Sequence, residues 1–294
     1  MKRSSFMAGA AGTVASPLLA AASRGSIPVV LEAGRFFAVP RVAGGQVMKL
    51  WLDTDGGGFV FEHAVRRLRL PVETGPNGAR FTRLPAFEDA AFPALGGTGR
   101  LEVFAPDHQD PILSGFDGQL GASWFMDRTW RFDYRRATVS MSDGSLTATE
   151  AAAPLTLLRG RYPRVELKIG GTNHAASVDT AASVALKADA VARFGDGLTA
   201  VRATSFVRGS LLAAWHVQQP AWTVLRDVGA TLAVDAIRVP SVRVGSHELG
   251  PVWFTTRAGD DVFEGDSIDL KLGAPAFFTR SVILDYRTAR FGIA

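Results

Sequence analysis

The chain has 294 residues, 47% of them hydrophobic and 20% charged, which suits a protein that buries a core and excludes a disordered one. Its net charge of +4 comes from 32 Lys and Arg scattered along the chain without a basic run, so no nucleic-acid partner is expected. With no cysteine at all, disulfides, thiolate metal sites and a cysteine nucleophile are excluded.

In chain order, Lys2 and Arg3 precede an uncharged stretch, Phe6 to Ala22, that ends in Ala20-Ala21-Ala22. This charged, apolar and small-residue succession predicts a signal peptide over residues 1–22, with Lys2-Arg3 as a weakened twin-arginine pair. The expected destination is the periplasm or the medium. No later stretch approaches the ~18 consecutive apolar residues of a membrane span, so no stable anchor is expected. Val39 to Thr54 then reads as strand, Gly44-Gly45 turn, strand, ending in Asp53-Thr54. Val60, Ala64 and Leu68 follow at helical spacing. Trp130, Phe132 and Tyr134 alternate with Arg131, Asp133 and Arg135, the mark of a half-buried strand. The Ala-rich stretch Thr147 to Pro154 reads as a linker. Beyond it, Arg164 to Ile169 alternates as a strand, Gly170-Gly171 supplies a hairpin turn, and Asp179-Thr180 closes the next strand. Leu186, Ala190, Val191 and Phe194 then repeat the helical spacing.

The chain repeats itself. Residues 117–141 and 269–293 share ten identities in 25 at a constant offset of 152, including Leu120/Leu272, Gly121/Gly273 and Tyr134/Tyr286. Average residue usage gives about one or two by chance. At an offset of 126, Val39, Gly44-Gly45 and Asp53-Thr54 match Val165, Gly170-Gly171 and Asp179-Thr180. The prediction is a mostly β protein of two homologous lobes, residues 23–150 and 151–294.

The residues resemble the aspartic proteases of the pepsin and retropepsin type, and the resemblance covers nearly all of the chain after residue 22. In that family each lobe carries an apolar strand running into Asp-Thr/Ser-Gly, and later a hydrophobic-hydrophobic-Gly segment. Here these are Leu50-Trp51-Leu52-Asp53-Thr54-Asp55 with Gln119-Leu120-Gly121, and Ser177-Val178-Asp179-Thr180-Ala181 with Lys271-Leu272-Gly273. The resemblance implies two acid-protease-like β-barrel lobes with short helices and an active cleft between them. It implies Asp53 and Asp179 as a catalytic dyad, Thr54 and Thr180 as its support, and Leu120-Gly121 and Leu272-Gly273 as the threading loops. A peptide or protein is the implied substrate, no cofactor or metal is called for, and two lobes in one chain remove the need to dimerise. Flap candidates are the glycine-rich stretch with Gly96 and Gly97, and the turn at Gly229.

Two departures matter. The family's third motif position is Gly, and here it is Asp55 and Ala181. Ala181 keeps the backbone N–H and adds one methyl group. Asp55 leaves two outcomes open: turned toward the dyad it adds a third negative charge, and turned away it relies on Gly56-Gly57-Gly58 for room. The alternative to a working peptidase is therefore a degenerate relative that binds peptides or scaffolds a partner. Other sites are weaker. The five histidines form no zinc pattern, the calcium-loop register places Ala64 at its acidic twelfth position, and no P-loop or dinucleotide motif is present. The tryptophans Trp124, Trp130, Trp215, Trp222 and Trp253 read as core or cleft wall rather than a sugar platform.

Overall fold

The computed structural model describes residues 25–94, 99–105, 110–142, 144–146, 151–257, 263 and 268–294. The predicted signal peptide, residues 1–22, and the flap candidates Gly96 and Gly97 lie outside the described residues.

Two sheets carry the two halves. In the first the order is Val72–Thr74, Arg80–Arg83, Arg100–Phe104, Phe59–Phe61, Gly118–Leu120, Leu50–Leu52, Arg35–Ala38 and Val29–Glu32. In the second it is Val224–Leu225, Ala236–Val239, Val252–Thr255, Ser205–Val207, Leu270–Gly273, Thr172–Asp179 and Tyr162–Ile169, continued by Val242–Val244 and His247–Leu249. The first seven strands of each occupy matching places. The central parallel ladders correspond residue by residue: Leu50, Trp51 and Leu52 face Gly118, Gln119 and Leu120, while Ala176, Ser177 and Val178 face Leu270, Lys271 and Leu272. The two repeat offsets read from the sequence are thus the two sides of one ladder, built twice.

A third, six-stranded sheet joins the halves in the order Ser26–Ile27, Thr138–Ser142, Thr129–Asp133, Ser281–Asp285, Arg290–Ile293, Ala151–Pro154. Its central antiparallel pair has Arg131 opposite Ile283, two residues related by the offset of 152, so the local two-fold passes between them. The alternation expected for the first of these strands holds only in part: Trp130 and Phe132 are fully buried and Arg131 is half-buried, but Asp133 is buried too, its carboxylate taken up by Arg136. Trp130 Nε1 donates to the Phe125 carbonyl (2.8 Å) and Trp124 Nε1 to the Pro93 carbonyl (3.2 Å), so both rings are buried without an orphaned donor. Each buried aromatic of this kind contributes about 1.5–3 kcal/mol of hydrophobic stabilisation. Trp215 and Trp253 are also core, and Trp222 packs half-buried against Trp215.

Two expectations need correction. The stretch Thr147 to Pro154 is not a plain linker: Ala151–Pro154 is the edge strand that pairs with Arg290–Ile293, mirroring Ser26–Ile27 at the opposite edge. Alanine-rich sequence has little strand preference of its own, and here an open sheet edge supplies the hydrogen-bond partners. The two predicted helices both form, at Glu62–Leu68 and Ala188–Phe194, but they are not counterparts. By position after the matching strands Phe59–Phe61 and Ser205–Val207, the equivalent of Glu62–Leu68 is Gly209–Gln218. Helix Ala188–Phe194 belongs to an extra unit of the second half, flanked by the strand pair Ser183–Ala185 and Val201–Ala203.

Candidate active site

Each aspartate sits at the end of the strand that leads into it, and the neighbouring strand of the same half threads past. Asp53 N–H donates to the Leu120 carbonyl (3.0 Å), and Asp179 stands in register with Gly273. Close packing here demands glycine. A Cβ on Gly121 would lie 2.5 Å from the Gly56 carbonyl oxygen, and one on Gly273 would meet the Thr204 backbone. Leu120, Gly121, Leu272 and Gly273 therefore pack against the two aspartate segments.

The two halves clasp each other through the threonines. Thr54 Oγ1 donates to the Val178 carbonyl (2.7 Å) and accepts from Thr180 N–H (3.2 Å). Reciprocally, Thr180 Oγ1 donates to the Leu52 carbonyl (2.8 Å) and accepts from Thr54 N–H (3.2 Å). Both side chains are buried, so these bonds form away from competing water. The N–H of each third motif residue also turns to its aspartate: Asp55 N–H to Asp53 Oδ1 (2.8 Å) and Ala181 N–H to Asp179 Oδ1 (3.0 Å). Neither third residue is glycine, and both of these donors are present. The Ala181 methyl is taken up by an apolar cluster with Phe37, Trp51, Phe61 and Phe116.

Asp53 and Asp179 line one cleft of ≈ 350 Å³ between the halves. Trp51, Ile112 and Leu113 form part of the wall from the first half; Val184, Phe206, Leu232 and Val234 form part from the second. Gly229 lies in the same wall, at the base of a loop closed by the Val228 N–H to Val234 carbonyl bond (2.7 Å). A Cβ on Gly229 would lie 2.2 Å from the Leu232 carbonyl oxygen, so the turn requires glycine. In sheet position its counterpart in the first half is the Gly75–Ala79 turn, not the stretch with Gly96 and Gly97.

Two polar cleft residues, Gln119 and Lys271, have no role in the sequence pattern beyond preceding each Leu-Gly. Gln119 Nε2 donates to Asp53 Oδ2 (2.7 Å) and to the Gly57 carbonyl (2.8 Å). Lys271 Nζ donates to Asp55 Oδ2 (2.7 Å) and lies 3.7 Å from Asp179 Oδ2. Gln119 and Lys271 are themselves related by the offset of 152, one residue before each Leu-Gly, and that position was the available signal. Asp55 points into the site, so the first of its two expected outcomes holds, but its charge is met by an ammonium.

Burial, the Asp179 carboxylate and, less strongly, Asp55 hold the Asp53 carboxyl well above the usual carboxylate range. Burial also raises Asp55, against the pull of Lys271. Lys271 is buried, which alone would lower it, yet Asp179 and Asp55 together raise it and keep it charged. The buried phenols Tyr134 and Tyr286 are pushed up by desolvation, with Asp179 adding to the first and Asp55 and Asp53 to the second, so both stay neutral. A proton-holding carboxyl beside a second carboxylate in a partly apolar cleft can take a proton from water and return one to a carbonyl oxygen.

No protein-family model matches the sequence, and no curated protein does. Among solved structures, the crystal structure of the aspartic proteinase from Irpex lacteus matches with a TM-score of 0.54 at 12% identity. The match covers 92% of this chain and 96% of that chain. The fold is therefore the two-lobed, mostly β fold of pepsin-like aspartic proteinases.

Proposed function

We propose that the protein is an exported aspartic-type endopeptidase that hydrolyses peptide bonds with a water activated by Asp53 and Asp179. The observation that carries this reading is the reciprocal Thr54–Thr180 clasp, which holds the two aspartate segments face to face in one cleft. One carboxylate takes a proton from the water as its oxygen attacks the peptide carbon, while the other carboxyl protonates the carbonyl oxygen. The resulting diol collapses as its hydroxyl proton returns to the second carboxylate and the first carboxyl protonates the leaving nitrogen. Each turnover thus restores the starting proton distribution. The alternative of a non-cleaving relative rested on Asp55 and Ala181, and both keep the backbone donors to the dyad. Export, by the signal peptide at residues 1–22, and a working monomer of two lobes complete the proposal. The Gly229 loop, with Leu232 exposed at the cleft, is the proposed flap.

The test is digestion of a heat-denatured protein between about pH 3 and 7, with and without a statine-type transition-state analogue. Cleavage that the analogue blocks is the expected result. No cleavage at any pH, or cleavage blind to the analogue, overturns the reading.

A further inference from the structure

We propose that Lys271 and Asp55 act together as positioning residues that settle the dyad's negative charge on Asp179 and its proton on Asp53, and thereby set the pH range of the enzyme. The inference rests on the peptidase reading above and adds to it which aspartate begins as base and which as acid.

Among the described polar groups around the dyad, the two-fold is broken at the Oδ2 side of each aspartate and at the third motif residue. Each aspartate accepts its own motif's N–H at Oδ1. At Oδ2, Asp53 meets the neutral Gln119 amide at 2.7 Å, and Asp179 meets the Lys271 ammonium at 3.7 Å. Gln119 and Lys271 occupy equivalent register positions, opposite Trp51 and Ser177. At 3.7 Å the ammonium makes no hydrogen bond to Asp179 and acts on it as a unit charge, which favours its ionised form, whereas the amide brings only a dipole to Asp53. Lys271 could not be buried there alone, because a lone interior cation carries a large desolvation cost. Asp55, its 2.7 Å partner, supplies the countercharge, while Ala181 stands at the equivalent place in the other half. The non-glycine residue at position 55 and the lysine at 271 are thus one feature: each makes the other tolerable.

Among the described residues the Ser177 hydroxyl also faces Asp55 and favours its ionised form, and few charged groups face the pair. Asp53 and Asp55 come from the end of strand Leu50–Leu52, and Asp179 from strand Thr172–Asp179. The neutral phenols Tyr134 and Tyr286 follow the central strands of the joining sheet. Asp110 and Arg257 line the same cleft. In this arrangement Asp179 takes the proton from water and Asp53 delivers its own to the carbonyl oxygen.

The test compares Lys271→Gln, Asp55→Ala and the double variant with wild type. Lys271→Gln removes the cation and leaves Asp55, so both limbs of the kcat/KM–pH profile move to higher pH, by about 1–3 units. Asp55→Ala removes the anion and frees Lys271 for Asp179, so both limbs move to lower pH. The double variant falls between the two. Carboxyl ¹³C titration, with signals assigned through Asp53→Asn and Asp179→Asn, gives a readout independent of turnover and of any loss of folding yield. At the wild-type optimum Asp179 should carry the ionised shift and Asp53 the protonated one. Single variants that lower activity while leaving both limbs and both carboxyl titrations in place overturn the inference, as does an ionised Asp53 beside a protonated Asp179. Opposite carboxyl shifts in a protein that hydrolyses no peptide leave the charge assignment standing and remove only the peptidase reading.

Discussion

Thr54 and Thr180 each donate a hydrogen bond to the carbonyl that precedes the other's aspartate, at 2.7 and 2.8 Å. The clasp is buried and crosses between the halves, so it ties the position of one carboxyl to that of the other. Thr180→Val keeps the volume but strands the Leu52 carbonyl and the Thr54 N–H. We expect a loss of about 2–4 kcal/mol in denaturant unfolding, from one lost donor and two buried groups left unpaired. A loss below about 0.5 kcal/mol would show that the clasp is incidental.

The glycines after Asp55 separate cleanly by what surrounds them. A Cβ on Gly56 would lie 2.0 Å from Asp53 Oδ2, whereas one on Gly57 meets nothing within 4 Å. Gly56→Ala should therefore displace the Asp53 carboxyl and cut kcat/KM by about 10²-fold. Gly57→Ala should leave kcat/KM within about twofold, since no contact changes there. Equal effects from the two substitutions would mean that Asp53 is not held as described.

Stability should carry the signature of the raised Asp53. A carboxyl whose folded-state value lies above its unfolded value binds its proton more tightly when folded. Its contribution is best in acid and declines as pH rises from the ordinary carboxylate value near 3.9 up through the raised one. Asp133 and Asp285 act in the opposite direction. Burial opposes the shift at each, but hydrogen bonds, from Arg136 to Asp133 and from Thr288 and Leu146 to Asp285, hold both below the usual range. Their contribution is lost as pH falls through those lowered values. Subtracting the unfolding free energy of Asp53→Asn from that of wild type cancels these two groups. The difference should decline with rising pH above about 4, and a flat difference would contradict the burial of Asp53.

Leu232 tests the proposed flap. It is 56% exposed, yet it lines the cleft. Leu232→Ala should leave the unfolding midpoint almost unchanged and raise KM for peptides about three- to tenfold, through lost apolar contact with substrate. An unchanged KM would place substrate away from this loop.

Much of this was legible in the sequence because the structure is built twice. Asp53-Thr54 and Asp179-Thr180 recur because both halves present the same strand end to the clasp. Leu120-Gly121 and Leu272-Gly273 recur because each glycine must let two backbones approach. What breaks the symmetry was harder to read. The Asp55–Lys271 contact joins residues 216 positions apart and has no counterpart in the other half. Helix Gly209–Gln218 has apolar residues on all sides and so carries no stripe of helical period, although it is the counterpart of Glu62–Leu68. Strand Ala151–Pro154 takes its conformation from the edge it pairs with rather than from its own side chains.

The central claim is that Asp53 and Asp179 work as one unit, and side-by-side hydrolysis of a denatured protein by wild type, Asp53→Asn and Asp179→Asn tests it most directly. Two members of one dyad predict a matched loss in both variants, on the order of 10³-fold or more, with the fold retained. Substantial cleavage by either variant would contradict the account.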